Sequence, residues 1–136
     1  MSAATQSLPR QVSSFPLRKI LLLDAATCVA MGLLLLAVAA ELAAMLGLPA
    51  QFLWWAGAAL LPCAALMGFT SRAGAQIQPP AGLVWVVILG NLAWVLASLL
   101  TVAVWFTPTA LGTAFVLAQA IAVVVLAAME YRALRG

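Results

Sequence analysis

From Ala81 to Met129 the chain runs for 49 positions without one Asp, Glu, Lys or Arg. A single helix of that length would measure about 73 Å, more than twice the roughly 30 Å of a bilayer's hydrocarbon core. The run must therefore turn back on itself. Thr107-Pro108-Thr109 is the natural turn, because Thr107 can cap a helix and Pro108 suits a first helical position. Two spans follow, about 81–106 and 108–130, the first of them bracketed by Trp85 and Trp105.

The rest of the chain divides in the same way. Residues 1 to 17 are polar, with Pro9, Pro16 and the single charge Arg10, and read as a tail. Arg18 and Lys19 then abut Ile20–Ala40, whose only charge is Asp24. This run exceeds the roughly 7–15 apolar residues of a secretory signal, so it reads as a span despite the A-x-A pattern at Ala37 to Ala39. Glu41, Gly47 and Pro49 mark its exit, with Gly47 as C-cap. The first helix thus covers about 20–46. A second covers about 51–71, with Trp54 and Trp55 at one interface, Arg72 at the other and Pro62 inside. Ala73–Pro80 reads as a loop. The expected fold is all-α, a membrane-spanning four-helix bundle occupying residues 18–136 as one domain.

Composition agrees and removes most chemistry. Apolar residues make up 67% of the chain and charged ones 7%, against about 45–50% and 25% in soluble domains, and mean hydropathy is +1.19. The absence of His removes imidazole ligands and bases, and no cofactor or metal motif occurs. Ser98 and Thr101 have no base within reach on their own helix, so no catalytic role is expected. Cys28 and Cys63 lie within apolar runs and read as small hydrophobes rather than a disulfide.

Four crossings put Arg10, Arg18, Lys19, Arg72, Arg132 and Arg135 on one side and leave the two opposite loops without a basic residue. By the positive-inside rule both termini are expected in the cytoplasm. The net charge of +3 is then a topology determinant with affinity for anionic lipid, and no nucleic-acid partner is expected.

Polar residues inside the spans are the candidate site. Asp24 could reach back to the interface near Arg18, Lys19 or Arg72, or serve as a proton, cation or ion-pair group. Thr27, Cys28 and Met31 follow on its helical face. Asn91 and Gln119, counted from Ala81 and Glu130, fall at similar depth and could bond across helices three and four. Trp94 lies one turn from Asn91, an available partner for its indole N–H. Ser98 and Thr101 are expected to bond back to carbonyls one turn earlier. Ala93, Ala97 and Thr101, then Ala114, Ala118 and Ala122, and Gly57, Ala64, Ala65 and Gly68 form small-residue ridges suited to close helix approach. Glu41 reads as a solvated interfacial charge, and Glu130, Tyr131, Arg132 and Arg135 as the aqueous end of the chain.

Leu21–Leu36 (LLLDAATCVAMGLLLL), Leu46–Pro49, Gly90–Ser98 (GNLAWVLAS) and Thr109–Gln119 (TALGTAFVLAQ) together resemble the uncharacterised small four-helix integral membrane proteins of proteobacteria. The resemblance implies a bacterial inner-membrane protein and carries over no site residue. The leading expectation for function is a non-enzymatic membrane protein acting through helix association, as an accessory or assembly subunit or as a homo-oligomer. A second is a small proton-coupled transporter using Asp24, similar to the small multidrug exporters, which however have a deep glutamate and a weak charge bias. A third is a lipid- or quinone-binding protein using the Asn91 and Gln119 region.

Overall fold

The computed structural model describes the backbone over residues 2–73 and 79–135, and side chains from Leu17 onward within those stretches. Among the described residues there are four α-helices, α1 (Ser2–Leu46), α2 (Ala50–Arg72), α3 (Ala81–Leu100) and α4 (Ala110–Arg135), with a π-helical segment, Thr101–Trp105, extending α3. No strand occurs among the described residues. The segments long and apolar enough to cross a membrane are Leu17–Leu46, Ala50–Arg72, Ala81–Trp105 and Ala110–Arg135. The polar tail expected over residues 1 to 17, Arg10 included, and the centre of the loop at 74–78 lie outside the described side chains, Leu17 excepted.

Several polar side chains within the spans are buried and many large apolar ones are exposed, as suits a lipid surround. Asp24, Asn91, Ser98, Thr101 and Glu130 are buried, while Leu22, Leu33, Leu89, Leu96 and Ile121 are exposed. The exposed charges Lys19, Glu41, Arg72, Arg132 and Arg135 stand at or near span ends.

Local chemistry sets the turns. Gly47 ends α1 in the left-handed region, at φ 69°, and its N–H bonds to the Ala43 carbonyl at 2.9 Å, the single-bond cap that glycine adopts without steric penalty. The turn before α4 falls where expected, but Thr109 caps it rather than Thr107: the Gly112 N–H donates to Thr109 Oγ1 at 3.0 Å. Thr109 also ties the two helix ends together, donating from its N–H to the Leu46 carbonyl at 3.0 Å and from its hydroxyl to that of Met45 at 2.9 Å. Helix three keeps α-geometry only to Leu100. Beyond it the Phe106 N–H bonds to the Thr101 carbonyl at 3.1 Å, a five-residue step that widens the last turn.

Helix order around the bundle is α2, α1, α4, α3. Helices α1 and α2 pack along their length, α4 packs on α1 and α3, and α2 and α3 touch at few positions. The α1–α2 contact is close because Gly32 and Gly57 oppose each other: a Cβ on Gly57 would lie 2.8 Å from the Gly32 carbonyl oxygen. Of the expected ridges, Gly57 and Ala64 are packed, whereas Ala65, Ala93, Ala114, Ala118 and Ala122 are exposed and Gly68 faces open space. On α4 the inward face carries Gly112, Val116, Ala120 and Ala127 instead. Those positions follow the same helical period, shifted from the alanine ridge, so counting small residues alone selected the outward face.

Two apolar clusters define the ends. Leu46, Leu48 and Leu53 gather Phe52, Phe106 and Phe115 at the loop end. Leu17, Leu21, Val84 and Ile88 gather Tyr131 and Leu134 at the other, so α1 around Leu17 and the end of α4 lie together. Arg18 donates there to the Ser71 carbonyl at the last turn of α2.

Candidate functional site

Val84 shares an apolar cluster with Leu17 and Leu21, which puts the first turn of α3 beside this part of α1. Seven residues past Leu17 on α1, and seven past Val84 on α3, is the same rise of about 10 Å. Asp24 and Asn91 therefore come level, and Glu130, one turn before Leu134, meets them from α4. Asn91 Nδ2 donates to Asp24 Oδ2 at 2.8 Å and to Glu130 Oε1 at 3.1 Å. Asp24 is 1% exposed and Glu130 fully buried.

This register revises three expectations. Asp24 is not turned back to the interface; its carboxylate lies in the bundle. Glu130 does not stand on the aqueous side with Arg132 and Arg135. Asn91 pairs with neither Gln119 nor Trp94, because Asn91, and not Ala81, is level with Glu130. The amide orientation is fixed by its neighbours, since a carbonyl oxygen aimed at two carboxyl groups would repel both.

Gln119 and Trp94 form a second network, nearer the loop end. Trp94 Nε1 donates to Gln119 Oε1 at 2.9 Å, and Gln119 Nε2 donates to Ser98 Oγ at 2.8 Å and to the Val116 carbonyl at 2.9 Å. Ser98 and Thr101 bond back to the Trp94 and Ala97 carbonyls, each at 2.8 Å, as expected. Thr27 is exposed; its hydroxyl donates to the Asp24 carbonyl at 2.8 Å and adds no donor to the carboxylate. Cys28 Sγ lies 3.8 Å from Asp24 Oδ1, a weak thiol contact, and Cys63 is exposed; both are free thiols.

No known protein family, curated protein or solved structure matches this chain. Function must be argued from the site.

The space left between α2 and α3 forms two cavities stacked along the bundle. The inner one, about 210 Å³, is walled by Asp24, Thr27, Cys28, Cys63, Met67 and Asn91 among others. The outer one, about 280 Å³, is walled by Phe52, Trp55, Ser98, Trp105 and Phe115 among others. Met31, Trp94 and Gln119 border both. Among the described residues no group of His, Cys, Asp and Glu could hold a metal ion.

The hydrogen-bond inventory fixes what the inner wall offers. An amide nitrogen has two hydrogens, and those of Asn91 are spent on Asp24 and Glu130. What Asp24 and Asn91 can turn to the cavity is a carboxylate oxygen and a carbonyl oxygen, both acceptors. Glu130 Oε2 is the one buried side-chain nitrogen or oxygen among the described residues with no hydrogen-bond partner. A proton on one carboxyl of the pair would relieve the repulsion of two buried carboxylates. Sequence reasoning missed Glu130 because three charged or aromatic residues surround it at a span end. The available signal was its four-residue spacing from Leu126 and Leu134, which places it on their buried helical face.

Proposed function

We propose that this small membrane protein binds an amphipathic molecule taken from the bilayer, with a hydrogen-donating or cationic head, in the cleft between α2 and α3. The observation that carries the reading is that both Asn91 hydrogens are spent inside the cluster, so that Asp24 and Asn91 present acceptors to the inner cavity, where the Cys63 thiol is a weak donor at most. An alkylammonium head suits that wall; an anionic head or an oxidised quinone, which offers only acceptors, does not. Buried carboxyls in a span are costly and mark working sites, which supports the same reading and the carrier role for Asp24.

The test is retention of decylammonium by the purified protein in neutral detergent, with decanoate as control. Decylammonium is retained by the wild type and lost in Asp24→Leu, and decanoate is not retained. Equal retention of both would overturn the reading.

The protein is further proposed to sit in a bacterial cytoplasmic membrane with both termini inside. Lys19, Arg72, Arg132 and Arg135 at span ends on one side of the four-crossing topology support this. Reporter fusions at each terminus test it. The association reading has one observation in its favour: Ala114, Ala118 and Ala122 form an outward ridge on α4 that a further transmembrane helix could approach closely. Cysteine cross-linking at Ala118 in membranes tests that role.

A further inference from the structure

We infer that the outer cavity is a separate subsite for the ligand's hydrocarbon tail, so that the bound molecule lies along the bundle with its head toward Asp24 and its tail toward the α1–α2 loop. The inference rests on the cleft being a binding site and adds what its second half accepts. Ser98, Thr101, Gln119 and Trp94, which border the outer cavity, are already engaged within the protein, and the indole N–H groups of Trp55 and Trp105 are the polar atoms left on its wall. Ser98 gives its proton to the Trp94 carbonyl and accepts from Gln119; Thr101 gives its proton to the Ala97 carbonyl. Gln119 accepts the Trp94 indole proton and spends its own amide on Ser98 and the Val116 carbonyl. Apart from those engaged groups and the two indoles the wall is aliphatic and aromatic, where a polar ligand group would lose its solvation with little return, so the chamber favours hydrocarbon.

Its walls fit that content. Phe52, Trp55, Trp105 and Phe115 come from three different helical segments and surround the cavity with ring surface. Phe52 and Phe106 pack at 4.9 Å between centroids behind it. The two cavities share Met31, Trp94 and Gln119, so a chain leaving the inner chamber meets the indole face and a flexible thioether at the passage. The carboxyl and amide groups of Asp24 and Asn91 lie on the inner side of the Trp94–Gln119 bond, so a ligand head that seeks an acceptor points that way.

Chain length separates the two halves experimentally. Butylammonium can occupy the inner chamber alone, whereas decylammonium needs both. Ala97→Trp and Ala56→Trp each fill the outer cavity, from α3 and from α2 respectively. In equilibrium dialysis both variants weaken decylammonium binding by about tenfold or more, equivalent to about 1.4 kcal/mol, and leave butylammonium binding within about twofold of wild type. A diazirine on the terminal carbon of decylammonium labels Phe52, Trp55, Trp105 or Phe115. Unchanged decylammonium affinity in both variants, or terminal labelling confined to residues around Asp24 and Met67, would overturn the tail subsite while leaving the cleft reading standing. Failure of the wild type to bind either amine would overturn the cleft reading itself.

Discussion

Asn91 Nδ2 donates to Asp24 Oδ2 at 2.8 Å across 67 positions of sequence, joining α3 to α1, and through its second hydrogen it joins both to Glu130 on α4. One amide thus holds three of the four helices at a single level. Its removal leaves two buried carboxyls without their donor, which costs more than the bond itself.

Asn91→Leu therefore destabilises the bundle by about 1–3 kcal/mol, the desolvation cost of groups left unsatisfied. Thermal unfolding of the detergent-solubilised protein should show a lowered midpoint. A second change, Asp24→Asn, should recover part of the loss, because a neutral amide can donate to Glu130 in place of Asn91. A midpoint unaffected by Asn91→Leu would mean that water, and not the amide, satisfies the two carboxyls.

Glu130 distinguishes the protonated from the ionised role of its carboxyl. Gln has the same shape and supplies the hydrogens that a protonated acid would, so Glu130→Gln keeps the thermal midpoint near wild type. Glu130→Ala removes the Asn91 contact at 3.1 Å and leaves a hole, with an expected loss of about 1–3 kcal/mol. If Gln proved as damaging as Ala, the group would be held as a carboxylate.

Gly112 controls the joint between the ends of α1 and α4. A Cβ there would collide with the Leu46 carbonyl oxygen, the same atom that accepts the Thr109 N–H at 3.0 Å. Gly112→Ala must push the helix ends apart and break that bond. Overpacking of this kind costs about 1–3 kcal/mol, so the thermal midpoint falls, whereas Gly68→Ala, which meets nothing within 4 Å, leaves it unchanged.

What could be read beforehand follows from how strongly each signal is local. The spans, the turn near Pro108 and the Gly47 cap depend on length, hydropathy and single-residue backbone preference, which act within one turn of helix. The back-bonds of Ser98 and Thr101 are equally local. The pairing of Asn91 depends instead on how α3 sits along α4 and α1, with Val84, Leu17, Leu21 and Leu134 gathered in one apolar cluster at that end. No residue near Asn91 encodes it. Counting depth from Ala81 assumed that all helices begin at one level, whereas Asn91 meets Asp24 and Glu130 rather than Gln119. Glu130 was obscured for a related reason: a carboxylate one turn from two arginines reads as interfacial unless the burial of its helical face is known.

The most direct consequence of the cluster is proton exchange. Asp24 and Cys28 face it from α1, Cys63 lies across the inner cavity on α2, α3 contributes the neutral Asn91, and Glu130 comes from α4. If one proton is held between Asp24 and Glu130, a cation settling against Asp24 compensates the second negative charge and releases that proton. Decyltrimethylammonium is the suitable probe, because a quaternary amine carries no proton of its own and any acid released must come from the protein. Added to protein in weakly buffered detergent with a pH indicator, it should release up to one proton per chain, and the neutral decanol none. Glu130→Gln should bind the probe without release, since the shared proton is replaced by amide hydrogens. Binding of the quaternary amine by the wild type with no change in indicator would show that the pair carries no exchangeable proton, and proton-coupled carriage through Asp24 would fall with it.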